Sequence, residues 1–313
     1  MNSFYNRDFN ITGVSAITEL TFSPSYGSKI NFKSTHYNYE TQNGYYNLIP
    51  LSINSLNAEY QLKFELNESD SQKLINFVEN KKGSILFPFS DASTFYKTVY
   101  GVVDNYSINH INKNHYEVDL AFQVNEAPNL LNWSGMTFIN SPLKHWIQNT
   151  SYVKYDIVYT GISSNKLDNY YYCSGDHSSS NPAIDGPTGT STKWTQRFFF
   201  EPDIGVQNSV ALKVDKIEFK NSFIQRMKTR NNIATTDFEY TFSKANDKKA
   251  TAILHFLENK GGYRRFYHDP PSVYNQLKVF SSPSWSHTWN YRDSHDIQVT
   301  LTEDPLGIVP TGS

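Results

Sequence analysis

Apolar residues recur along this chain at two spacings, and the same succession of spacings is written twice. Where they fall on alternate positions, the pattern is that of a strand with one buried face. Ile30 and Phe32 in "KINFK" show it, as do Ile217 and Phe219 in "KIEFK", the run Val118, Leu120, Phe122 and Val124, and the run Ile297, Val299 and Leu301. "YQLKFEL" at 60–66 and "FEYTF" at 238–242 predict two more strands. Each leads into a segment with helical spacing: Leu74, Phe77 and Val78 share one helical face, and so do Ile253, Phe256 and Leu257. Residues that can cap stand before each stripe, Asn67 and Ser69 in one and Ser243 and Asn246 in the other. Lys82 and Gly83, or Lys260, Gly261 and Gly262, close the helices, because glycine is free to take the left-handed cap conformation.

These landmarks keep their order. Phe-x-Pro-x-x-Gly ("FSPSYG", "FEPDIG") is followed by Lys-Ile-x-Phe-Lys, by a strand and a helix ending in "FVENKKG" or "FLENKGG", and by a short strand, "SILFPF" or the "RRFYHDPP" segment. Each set closes on a strand that stops at an acidic residue and a proline, Glu126 to Pro128 and Glu303 to Pro305. Ordered matches of this kind mark an internal duplication. One helix among several alternating strands, twice, predicts an α+β, mostly β fold: two antiparallel β domains with one helix each, at residues 1–132 and 198–313.

Residues 133–197 belong to neither copy, and Ser, Thr, Asn, Gly, Tyr and Trp dominate there. Tyr155, Ile157 and Tyr159 alternate as in a short strand, and "YYYC" at 170–173 predicts another. So small a segment predicts an all-β module in which Trp146 and Trp194 anchor a miniature sheet.

Composition narrows the function. With 28 basic and 30 acidic residues the chain is near neutral, so neither a duplex nucleic-acid surface nor an anionic membrane is the expected partner. No apolar run of about 18 residues is present to span a bilayer, and "MNSFYNRDFN" lacks the apolar core of a signal peptide, so synthesis in a cytoplasm is expected. The single Cys173 leaves no internal disulfide and no cysteine-based zinc site. The 22 tyrosines and 21 phenylalanines point to contact-making surfaces, since tyrosine offers a large rigid area with a polar tip.

With both copies in view, the pattern Phe-x-x-Pro, then "FEYTF", a helix, "FLENKGGYRRFYHDP" and "VTLTEDP" resembles the minor tail and distal tail-tip protein family of long-tailed bacteriophages. The second copy matches better, the first replacing Arg-Phe-Tyr-x-Asp-Pro with "LFPFSDA". The resemblance implies a tail-tube-like fold whose sheets join between subunits in a ring around the DNA channel. It implies as partners further copies of the chain, the tail tube protein, hub or tip proteins and the tape measure, with DNA only in transit and a place in the virion at the tail tip. Three duplicated chains would make a pseudo-hexameric ring, and six chains in a double layer is the competing arrangement. "STHYNYETQNGYYNLIPLS" carries Asn43-Gly44, a strong hairpin signal, between Tyr-rich arms. In tube-like proteins such a hairpin reaches a neighbour, which makes Tyr39, Asn43, Gly44 and Tyr45 candidate intersubunit contacts, together with Arg264 and Arg265.

The middle segment resembles the small chitin-binding-type modules of chitinases and phage tail proteins. Trp146, Tyr155, Asp156, Val158, Tyr171, Tyr172, Cys173, His177, Pro182 and Trp194 fall on that pattern in order, with Tyr155 where a glycine is expected. A host-surface polysaccharide is the partner this implies. Sugar rings stack their C–H faces on aromatic rings, so Tyr159, Tyr171, Tyr172 and Trp194 are the candidate carbohydrate-binding residues. The other class in view is a carbohydrate-binding adhesin that forms no ring.

Catalysis finds little to work with. Cys173 and His177 could form a thiol–base pair, but in the resembled module the cysteine is packing. His268 and Asp269 are strand neighbours and point to opposite faces. No phosphate loop, dinucleotide glycine pattern or His-Glu-x-x-His helix is present. The chain reads as a non-enzyme with no metal and no cofactor.

Overall fold

The computed structural model describes residues 22–40, 46–51, 55–81, 83, 85–90, 98–126, 144–160, 170–203, 205–212, 215–219, 224–227, 234–271 and 277–304. The first copy runs β1 (Lys29–Ser34), β2 (His36–Glu40), β3 (Tyr46–Pro50), β4 (Leu56–Asn67), α1 (Glu68–Lys81), β5 (Phe87–Ser90), β6 (Thr98–Asn112) and β7 (His115–Glu126). The middle segment supplies β8 (Lys144–His145), β9 (Ser151–Tyr152), β10 (Ile157–Tyr159), β11 (Tyr170–Cys173), β12 (His177–Ser178), the single turn α2 (Pro182–Asp185) and β13 (Trp194–Thr195). The second copy repeats the first as β14 (Gln207–Leu212), β15 (Asp215–Glu218), β16 (Ile224–Met227), β17 (Ala234–Ala245), α3 (Asp247–Lys260), β18 (Phe266–His268), β19 (Lys278–Tyr291) and β20 (Ser294–Glu303). The fold is mostly β and antiparallel, as the strand periodicity predicts.

Both helices begin and end for the reasons visible in the sequence. Asn67 Oδ1 accepts from the Asp70 amide at 2.9 Å, and Asn246 Oδ1 from the Lys249 amide at 2.8 Å, each satisfying an amide that the first turn leaves without a partner. Gly261 closes α3 at φ 59°, and Gly83 follows α1 at φ 63°. The two apolar stripes are buried, and the helices lie on their own copies' strands, α1 against β4, β6 and β7 and α3 against β17, β19 and β20.

Strand order is the same in each copy: β1-β4-β7-β6-β5 and β14-β17-β20-β19, with β18 on β19. The copies are not separate sheets. β1 pairs antiparallel with β19, with Lys29 opposite Thr288 and Lys33 opposite Ser284, so that one 10-stranded sheet runs through both. At this seam Phe32 stacks on Trp285, ring centroids 5.2 Å apart and 17° from parallel, and both are buried. Gly262 lies beside it at φ 80°, where a Cβ would come within 2.2 Å of the Ser34 Cβ; only glycine lets the end of α3 approach the end of β1 this closely. The apolar residues of both copies form one core on the helix side. On the other face the seam presents Asn31, Lys33, Ser284, Ser286, Gln298 and Thr300, a polar surface with a shallow concavity across the joint.

One expected correspondence changes. "KINFK" lies on β1, but "KIEFK" begins in β15, half of the two-stranded arm β15–β16, where Ile217 and Phe219 are exposed rather than buried on one face. The counterpart of β1 is β14, "QNSVAL", which pairs with β17 as β1 pairs with β4. Alternation is common to any strand, so it cannot say which of two neighbouring strands joins the main sheet. The arm β2–β3 occupies the same place in the first copy as β15–β16 in the second.

Candidate functional site

Two places can carry function: the middle module with its seat on the second copy, and the edges of the large sheet. The module's strands β13-β11-β10-β8 form a small sheet with two buried faces. On one face Val158, Cys173, Trp194 and Tyr152 make a core of their own, with Trp146 and Tyr171 packed against it. On the other, Ile157, Tyr170 and Tyr172 enter the main core of the chain, with Tyr159 packed against it. Residues two apart on a strand share a face, and the four candidate sugar-binding side chains are therefore divided between the two sides.

Tyr172 is 1% exposed and stands over α3. Its hydroxyl lies 2.9 Å from His255 Nδ1 and accepts from Asn259 Nδ2 at 3.5 Å, and its ring meets Phe256 at 5.3 Å. Trp194 is buried, its Nε1 donating to the Asp185 carbonyl at 2.8 Å. Neither ring has a face open to a sugar. Tyr171 and Tyr159 are partly exposed, on opposite faces of the small sheet, with Tyr159 edge-on to His145 at 5.4 Å. Tyr172→Phe removes the hydroxyl that links Asn259 to His255 and is expected to cost about 1–3 kcal/mol, read as a lowered midpoint in urea denaturation.

Tyr155 explains the glycine expected at its position. Its φ is 74°, in the left-handed region that glycine occupies freely, at a cost for other residues of about 1–2 kcal/mol. The Tyr155 ring in return packs on Phe199 and Phe200 at centroid distances of 5.9 and 6.0 Å, in the segment that leads into the second copy. Nearby, Lys248 of α3 holds the nearly buried Asp156 at 2.6 Å. The module is thus fixed to the second copy by an ion pair, aromatic packing and a buried hydrogen-bonded tyrosine.

The thiol–base pair does not form a nucleophile. Cys173 is buried, its Sγ directed to the Gly175 carbonyl at 3.2 Å, and burial pushes the thiol up to about 11, so it stays protonated at neutral pH. His177 Nδ1 is 3.6 Å away and also faces the Gly175 carbonyl, at 3.1 Å. His268 is buried as well: Nδ1 donates to the Phe198 carbonyl at 2.7 Å, which leaves Nε2 to accept from the Tyr240 hydroxyl at 2.7 Å. Among the described residues no group of His, Cys, Asp and Glu is placed to hold a metal, and no helix is long and apolar enough to cross a membrane.

Of the candidate intersubunit contacts, Tyr39 is exposed on β2, while Asn43, Gly44 and Tyr45 lie outside the described residues. Arg265 is engaged within the chain, its Nε 2.5 Å from the buried Asp304. Arg264 stands over the Tyr263 ring at 6.0 Å. Sequence reasoning missed β6 and β19, the two longest strands among the described residues, because register shifts interrupt their alternation, between Val103 and Asn105 in β6 and between Ser281 and Ser284, around Pro283, in β19.

The architecture is a duplicated antiparallel β unit with one helix per copy and a small β module between the copies. Among solved structures it is similar to an E. coli protein, c3393, described as a component of the type VI secretion system with structural similarity to the T4 bacteriophage tail proteins gp27 and gp5. That likeness has 11% identity and a TM-score of 0.31, over 93% of this chain and 78% of that one. It is also similar to a 43 kDa tail protein of prophage MuSo2 from Shewanella oneidensis, at 5% identity and a TM-score of 0.31, over 91% of this chain and 96% of that one. No protein-family model matches the chain, and no curated protein matches it in sequence.

Proposed function

We propose that this chain is a structural component of a bacteriophage tail tip, a distal or minor tail protein that forms a ring joining the tail tube to the hub or receptor-binding apparatus. The observation that carries this reading is the β1–β19 seam, at which two units of identical strand order are joined edge to edge with their helices on one side. Units joined in this manner form a closed ring if the rotation between successive units closes. The helix side would face outward and the polar face inward. That inner face carries serine, threonine, asparagine and glutamine with charges of both signs, as a passage for DNA requires if it is not to grip phosphate. Tail tube protein, hub or tip proteins and the tape measure are the partners of such a ring, in the baseplate region of the virion, and no catalytic step is assigned to it.

The module, seated on the second copy, would project from the ring. Tyr171 and Tyr159 are the rings it offers to a host glycan, and Tyr172 and Trp194 serve its packing.

Light scattering of the purified protein together with negative-stain images tests the assembly. The expected result is a ring of three chains with a central hole. Six chains in two layers would correct the stoichiometry, and a strict monomer at all concentrations would favour an adhesin that acts through the module alone.

A further inference from the structure

The register of the internal seam can be carried over to the chain's own free edges, because the copies align strand by strand. Phe64, Val118 and Ile108 lie side by side across β4, β7 and β6, as Phe242, Ile297 and His287 do across β17, β20 and β19. Leu62, Leu120 and Tyr106 correspond in the same manner to Tyr240, Val299 and Trp285. The stretch of β19 that receives β1 therefore has its counterpart in β6 from Asn105 to Asn109, and β14 is the counterpart of β1.

Both counterparts are without a strand on that side among the described residues. β14 ends the sheet order, and β6 is paired by β5 only over Thr98–Gly101 on the side away from β7. Exposure changes accordingly. His287 and Phe32, inside the internal seam, are 0% and 3% exposed, whereas Ile108 and Val210, at the equivalent places on the free edges, are 40% and 52% exposed. An edge strand is ordinarily protected by lysine, proline or a bulge. "QNSVAL" has no lysine or proline, and its pairing with β17 runs without a register shift.

We infer that β14 of one chain pairs antiparallel with β6 of a second copy of this chain, in the register of the internal seam. Gln207 then lies opposite Asn109, Asn208 opposite Ile108, Ser209 opposite Ser107, Val210 opposite Tyr106 and Ala211 opposite Asn105. The contact is heterologous, since the two edges differ, so it propagates from chain to chain and leaves no pair closed on itself. The seam between chains lacks the Phe32–Trp285 stack and holds Val210 against Tyr106 instead, so it is the weaker joint and forms upon assembly. This inference rests on the ring reading above and specifies its joint.

Cysteine pairs read the register. Opposed residues of an antiparallel pair are about 4.5–5.5 Å apart at Cα, within disulfide range. Ser209 and Ser107 are exposed, so Ser209→Cys with Ser107→Cys leaves the fold intact, and the native Cys173 is buried. Mild oxidation of concentrated protein is expected to give chain-to-chain disulfides in a ladder ending at a closed trimer. The off-register pair Gln207→Cys with Ser107→Cys should give at least tenfold less product. Val210→Lys, which places a charge in the joint, is expected to lower assembly at least tenfold without moving the thermal midpoint of the monomer.

Equal linking by both pairs, or no linking by either, overturns the seam. Rings in the images without in-register disulfides would leave the tail-tip reading standing and remove this joint. In-register disulfides in open chains that never close would keep the joint and remove the ring.

Discussion

Lowering the pH from 7 to 5 is expected to remove about 4 kcal/mol of unfolding free energy through two buried histidines, His255 and His268, with a third, His287, acting in the same direction. Burial pushes His255 down to about 3 and His268 down to about 4; burial and the neighbouring His295 hold His287 well below the usual range. Each folded-state value lies below that of the unfolded chain, near 6.5, so between those values the unfolded chain takes up protons that the native chain refuses. For His255 and His268 the stabilisation is complete above about pH 6.5 and is lost as pH falls toward 4 and then 3, with a slope approaching about two protons, or about 3 kcal/mol per pH unit. That is comparable with the whole stability of an ordinary domain. The surroundings leave little room for a proton. His268 already donates from Nδ1 to the Phe198 carbonyl, so the incoming proton would go to Nε2, reversing the bond with the Tyr240 hydroxyl and leaving the hydroxyl proton without this acceptor. His287 Nε2 lies 2.8 Å from His295 Nδ1, and His295 Nε2 lies 2.8 Å from Asp247 Oδ1, which orients both rings. Urea denaturation at pH 7 and pH 5 measures the difference directly; equal stability at the two values would mean that these rings accept protons within the fold.

Trp285→Ala is expected to cost about 3–5 kcal/mol, the range for truncating a buried aromatic side chain. The loss should appear first at β1, as faster amide exchange in Lys29–Ser34, because the indole stacks on Phe32 across the only strand pair that joins the copies among the described residues. Tyr106→Ala is the control. Tyr106 holds the same place in the first copy, but at the free edge and only partly buried, with its hydroxyl donating to the Glu79 carboxylate. It should cost the monomer clearly less. If the two substitutions proved equal, the internal seam would contribute no more to stability than the open edge does.

How much of this could be read beforehand follows the range of the forces. The helices were legible with their caps and buried stripes, since Asn246 and Gly261 act on amides and carbonyls within one turn and Ile253, Phe256 and Leu257 follow a spacing of the helix itself. The strands with clean alternation were legible for the same reason. β6 and β19 were not, because register shifts, between Val103 and Asn105 in β6 and between Ser281 and Ser284 in β19, move the inward-facing positions from one parity to the other. The candidate sugar-binding residues were visible as aromatics on adjacent strands. Whether each ring met solvent depended on packing from other segments: Tyr172 is covered by α3, 83 positions away in sequence at His255, and Trp194 by the module's own core of Tyr152, Val158 and Cys173.

The order of residues alone therefore establishes the duplication, the α+β composition of each copy, the helix boundaries and the existence of a small middle module. These depend on local backbone preferences and on periods of two and 3.6 that a single segment carries in itself. Which strands become neighbours was settled by the packed chain. That β1 joins β19, that β14 rather than "KIEFK" is its counterpart, and that the module meets α3 through Tyr172 and Asp156 are matters of long-range pairing. There every strand offers the same backbone groups, and only burial of Phe32, Trp285 and Tyr172 selects the partner.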